Sequence, residues 1–74
     1  MTRLPRLRGR DLVRALRKLG FQVVRIKGSH HYLRHPDGRA TVIPVHAGET
    51  IGPGLTKKIL DDCEVTVENL SRQV

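Results

Sequence analysis

Residues 21–45 read FQVVRIKGSHHYLRHPDGRATVIPV, and the fold depends on how this stretch is divided. Phe21 to Ile26 is rich in β-branched and aromatic residues, Lys27-Gly28-Ser29 supplies a turn, and His30 to His35 forms a second short run. Pro36-Asp37-Gly38 closes a second hairpin. Arg39 to Val45 follows, with Thr41, Ile43 and Val45 alternating against Ala40, Val42 and Pro44. Strands joined by consecutive hairpins are antiparallel. Pro44 has no N–H to donate to a ladder, so that end is an edge or a strand terminus.

Helical patterns flank the strands. Leu12, Val13, Leu16 and Leu19 make one apolar stripe in a helix from Arg10 to Leu19, with Asp11 in its first turn and Gly20 as the residue that ends it. A glycine-rich loop covers residues 46–53. Pro53 opens a second helix, whose apolar face is Leu55, Ile59 and Leu60. Thr66 is placed to cap a short last turn, without the Glu or Gln three residues on that completes a capping box. The expectation is an α+β domain of order α-β-β-β-α. Two helices cover one face of a three-stranded antiparallel sheet and leave the other face open. One domain spans 1–74, with its core at about 10–62 and a short C-terminal extension at 63–74.

Composition narrows the function. Fourteen Lys and Arg stand against seven Asp and Glu, a net charge of +7 on 74 residues. Such a surface favours phosphate-rich or acidic partners. A chain this short has no room for a large internal cofactor, so any site is a shallow surface feature. The single cysteine, Cys63, excludes an internal disulfide and reads as an inert residue near a helix end. There is no apolar run of membrane-spanning length and no secretory leader, so a soluble cytoplasmic protein is expected. The start, Met1 to Arg6, reads as a short basic arm or loose terminus.

Four histidines, His30, His31, His35 and His46, carry the chemical interest. Neighbours on a strand point to opposite faces, which separates His30 from His31. His31 and His35 share a face but lie roughly 13 Å apart along it, too far to hold one ion. No standard metal-ligand spacing is present, so no metal is expected. General acid/base work fits better. An imidazole titrates near pH 6.5, within reach of cellular pH. RNA brings its own nucleophile, the ribose 2′-OH, so one positioned base beside cationic groups suffices without a metal or a protein nucleophile. Lys27, Arg34 and Arg39 are near the histidine run and can supply the charge, and Ser29 can bond a phosphate oxygen. If Leu33 faces the core, parity sends His31 and His35 inward and His30, Tyr32 and Arg34 outward. That favours His30 as the exposed base. A bulge at Gly28-Ser29 reverses the argument, so His31 stays in reserve. Lys57-Lys58 and Asp61-Asp62-Glu64 read as solvated surface groups, the acidic set also as a partner contact.

Taken together, Gly28-Ser29-His30, His35-Pro36-Asp37-Gly38-Arg39, Val42-Ile43-Pro44-Val45-His46 and Gly54-Leu55-Thr56-Lys57-Lys58-Ile59-Leu60 resemble the HicA (YcfA-like) toxin family, over about Arg10 to Leu70. The resemblance implies a double-stranded-RNA-binding-like fold. It implies a ribosome-independent mRNA endonuclease that is neutralised by a HicB-type antitoxin covering its active surface. It carries the catalytic histidine over to His30 in the Gly-Ser-His turn. Some members have their histidine one place later, where this chain has His31. Gly28 carries over as the turn glycine; with the residues beside the histidine run, the expected RNA contacts are Lys27, Gly28, Ser29, Arg34 and Arg39. His46 matches a position of structural or auxiliary role. Phe21 and Tyr32 are the only aromatics besides histidine, which points to backbone or shape recognition. Two other functions suit the same charge and fold: a non-catalytic RNA-binding domain, and an interaction module for an acidic protein.

Overall fold

The apolar stripe of the first helix and the alternation of the third strand meet in one core. The computed structural model describes residues 4 and 6–74. Most of the expected N-terminal arm therefore lies outside the described residues. Helix α1 is Gly9–Lys18, strands β1, β2 and β3 are Gln22–Lys27, His30–Arg34 and Ala40–Pro44, and helices α2 and α3 are Pro53–Cys63 and Val67–Gln73. The sheet is antiparallel in the order β1-β2-β3. Helices α1 and α2 pack on β3, and α3 packs on α1. This is the α+β, double-stranded-RNA-binding-like arrangement expected from the sequence, with one more helix.

Each boundary has a local cause. Gly20 takes φ 99 beyond the end of α1, its N–H bonds to the Arg17 carbonyl, and the Phe21 N–H bonds to Leu16. That pair of bonds is a Schellman ending, and it aims Phe21 into the core. Between β1 and β2 the chain reverses in two residues, with Gly28 at φ 59 in the position where a type II′ hairpin turn needs glycine. Pro53 starts α2 at a position that has no use for an N–H. Thr66 caps α3 by accepting the Asn69 N–H at 3.1 Å. The extension expected as a short turn is thus a seven-residue helix. Its Leu70 is fully buried among Leu12, Leu16, Phe21, Leu33, Ile43, Ile59 and the other core residues.

Register settles which side chains share a face. Leu33 and its partner Thr41 are buried, as is Ile43 opposite His31, so this is the helix-covered face. The other face shows cross-strand rows: Lys27, His30 and Pro44; then Arg25, Tyr32 and Val42; then Gln22, Arg34 and Ala40. The ladder has one irregularity, between Val23 and Arg25. There Val24 is the extra residue, and it is displayed at 60 % exposure.

Candidate active site

The Gly28-Ser29 turn gathers most of the expected site at one end of the sheet. Leu33 is buried, so the parity argument holds: His30 is exposed on the open face, directly across from Lys27. His31 is half-buried on the helix-covered face, opposite Ile26 on one strand and Ile43 on the other. The bulge that could exchange the two lies at Val24 instead, well away from the turn.

The two imidazoles differ in how they are held. His31 Nδ1 lies 3.2 Å from the Ser29 carbonyl oxygen, which also accepts the Val45 N–H at 2.7 Å. A carbonyl only accepts, so this contact favours the neutral tautomer that carries its proton on Nδ1 and accepts through Nε2. His30 is instead open to whatever approaches the sheet. Nearby, the first turn of α1 rests on β3. Gly9 lies so close to the Pro44 carbonyl and Val45 that a β-carbon there would overlap them. His46 is exposed just past this contact.

Positive charge lines the open face. Lys27 sits beside His30, Arg34 is two rows along, and the Arg25 guanidinium lies 5.8 Å from the centre of the Tyr32 ring. Among the described residues none of Arg25, Lys27 or Arg34 forms an ion pair, which leaves them available to phosphate. Lys57 and Lys58 pair with Asp61 and Asp62 one helical turn on, at 3.3 and 3.2 Å. The acidic cluster is therefore largely matched on its own helix.

Arg39 is held elsewhere. Its Nε bonds to Asp37 at 2.8 Å, its Nη1 donates to the Cys63 carbonyl at 2.6 Å, and its guanidinium lies over the Phe21 ring. It anchors the far hairpin to the end of α2, at the opposite end of β2 from His30. Sequence proximity gave no sign of this, because the Cys63 carbonyl is 24 residues away. The Arg39 guanidinium holds the Asp37 carboxyl below its ordinary value, and that carboxylate in turn raises Arg39. Burial pushes the Cys63 thiol up to about 11, so it stays protonated and unreactive. Among the described residues no three His, Cys, Asp or Glu side chains gather as a metal site, and no helix is long and apolar enough to cross a membrane. Sequence reasoning passed over Arg25 and Val42 as neighbours of Tyr32. Their alternation with His30 was visible, but the bulge at Val24 shifts the count on β1.

Comparison with known proteins bears on this arrangement. A family model described as the HicA toxin of bacterial toxin-antitoxin matches residues 9–65. The chain belongs to the HicA toxin family. The match runs from the first residue of α1 to just past α2 and includes the whole sheet and its histidine turn. A HicA toxin belongs to a toxin–antitoxin system, which implies an antitoxin partner. A search among curated proteins gives no significant match.

Proposed function

We propose that this HicA protein is an mRNA-cleaving endoribonuclease, metal-independent and neutralised by a HicB-type antitoxin. One observation carries the reading: within a HicA domain, an open, positively charged sheet face presents His30 beside Lys27 at a glycine turn. In the mechanism His30 takes the proton from a ribose 2′-OH. The 2′-oxygen attacks the adjacent phosphorus, the bond to the 5′-oxygen breaks, and that oxygen takes up a proton as it leaves. Lys27, with Arg34 further along the strand, offsets the charge that builds on the phosphate. The Gly28-Ser29 turn lets the backbone come close to the strand being cut, and the Ser29 hydroxyl is a donor for a phosphate oxygen.

A second reading of the same chemistry gives the base to His31. The Ser29 carbonyl supports it, since it orients the ring and leaves Nε2 as the accepting nitrogen. Both readings require a 2′-OH at the cut. The test is cleavage of an RNA oligonucleotide by the purified protein in the presence of a chelator, with the same oligonucleotide carrying single 2′-deoxy substitutions. One such substitution should abolish cutting at the neighbouring bond. Cutting of DNA at a similar rate overturns the mechanism. Tight RNA binding without histidine-dependent products would make the protein a binding domain.

A further inference from the structure

Beside the proposed site a groove crosses the β3 edge, from the open face of the sheet to α2. It measures about 410 Å³ and runs from Val24, Tyr32 and Val42 on the sheet to Leu55 and Lys58 on α2, with Arg34 at one side. Its size falls in the range of roughly 300–1,000 Å³ typical of small-molecule sites. Its walls are mainly apolar, and Val24, Val42 and Leu55 are exposed at 60, 39 and 39 %. The bulge matters here. In an unbroken ladder one residue would face Tyr32; the extra residue sets Val24 beside Arg25 and widens the apolar floor.

Position and charge identify the occupant. Tyr32 is two residues from His30 on the same strand and the same face, about 7 Å along. That is the span of one extended nucleotide. Arg34 lines the groove and Arg25 stands close by, its guanidinium 5.8 Å from the Tyr32 ring centre, while Lys58 on the helix lip is paired with Asp62, which also lines it. A phenol ring with a guanidinium beside it is a stacking platform for a base, and the cations suit the phosphates on either side. We infer that this groove is a nucleobase subsite, in which Tyr32, Val42 and Leu55 hold the base of a nucleotide next to the one whose phosphate lies at His30. The inference rests on the ribonuclease reading of that face. It gives the toxin one base-dependent contact within an otherwise backbone-directed surface.

The test uses 2′-O-methyl RNA hexamers, which cannot be cut, with each base in turn removed to leave an abasic sugar. Wild-type protein should lose about ten-fold or more in affinity for one abasic position and little for the others. Tyr32→Ala should weaken the intact hexamer and erase that position's penalty. Val42→Arg fills the groove, so it should weaken the intact hexamer as Tyr32→Ala does and erase the same penalty. Equal affinity for every abasic hexamer overturns the subsite, as does failure to bind the hexamers at all. So does a penalty that survives Val42→Arg while that variant fails to bind its co-expressed antitoxin, which would mark the groove as a protein-docking surface. Cleavage of ordinary RNA is measured in parallel. Histidine-dependent cutting without a base-dependent penalty removes only the subsite, whereas a penalty without such cutting removes only the nuclease reading.

Discussion

The sheet turns at one end through Gly28-Ser29 and at the other through Pro36-Asp37-Gly38, and the two ends use similar residues for opposite purposes. Each has a glycine at positive φ, flanking histidine and a nearby cation. At the far end these groups satisfy one another. The Asp37 N–H donates to His35 Nδ1 at 3.1 Å, His35 packs edge-on against Phe21, and Arg39 links Asp37 to the last carbonyl of α2. At the near end Lys27 and His30 face outward with no such partners among the described residues. Chemistry toward a ligand needs side chains that the fold has not already used, and only the near end keeps them.

The largest expected effect separates the two histidines of the near end. Removing the general base should cost on the order of 10²–10⁴-fold in cleavage rate. If His30 is the base, His30→Ala loses that factor and His31→Ala loses far less; if the Ser29-oriented ring is the base, the order reverses. His35→Ala in the far turn should leave the rate of the folded protein nearly unchanged and lower its stability. A cleavage loss from His35→Ala equal to that of either near-end variant would break the comparison between the ends.

Much of this division was legible in the sequence, and the part that was not has a physical reason. Alternation from Thr41 to Val45, the buried Leu33 and the turn glycines sufficed for strand order and for sending His30 and His31 to opposite faces. Gly20, Pro53 and Thr66 marked helix ends because their roles are local. Arg39 stands near the histidine run in sequence, and only tertiary folding brings the Cys63 carbonyl to it. The groove was hidden for the same reason: Val42 and Leu55 belong to different elements, and the Val24 bulge breaks the period by which β1 would be read. Leu70 gave a weak signal in a short amphipathic tail, although it is fully buried.

Stability variants sharpen the contrast. Gly20 has φ 99, and a β-carbon there would lie 2.7 Å from His35 Nε2. Gly20→Ala should therefore cost about 1–3 kcal/mol, from backbone strain and displacement of the ring. Gly28 has φ 59 with open space around it, so Gly28→Ala meets only the backbone penalty, about 1 kcal/mol. Urea unfolding of the two variants measures the difference. Equal losses would mean that the far end is no more tightly fitted than the near one. Arg39→Ala comes next: it frees the Cys63 carbonyl and uncovers one side of Phe21, and should lower the thermal midpoint by a few degrees without changing cleavage below that midpoint.

The smallest effect is a pH dependence confined to the far turn. Hydrogen bonds from the Arg39 side chain and backbone hold the folded Asp37 carboxyl below its ordinary value of 3.8. A carboxyl depressed by folding stabilises the folded state wherever it is ionised. That contribution is fully present above the unfolded value and is lost as the pH falls through the lower, folded one. The Asp37 carboxylate is about half exposed, so the effect is small and screened by salt. Urea midpoints taken from pH 5 down to pH 2.5 should fall more steeply for the wild type than for Asp37→Asn. Arg39→Ala should flatten the profile in the same way, because it removes the partner that lowers the carboxyl. If Asp37→Asn follows the wild-type curve throughout, the Asp37–Arg39 link does not stabilise the turn in solution, and the far end is held by the packing of His35 and Phe21 and by the Arg39 bond to the end of α2.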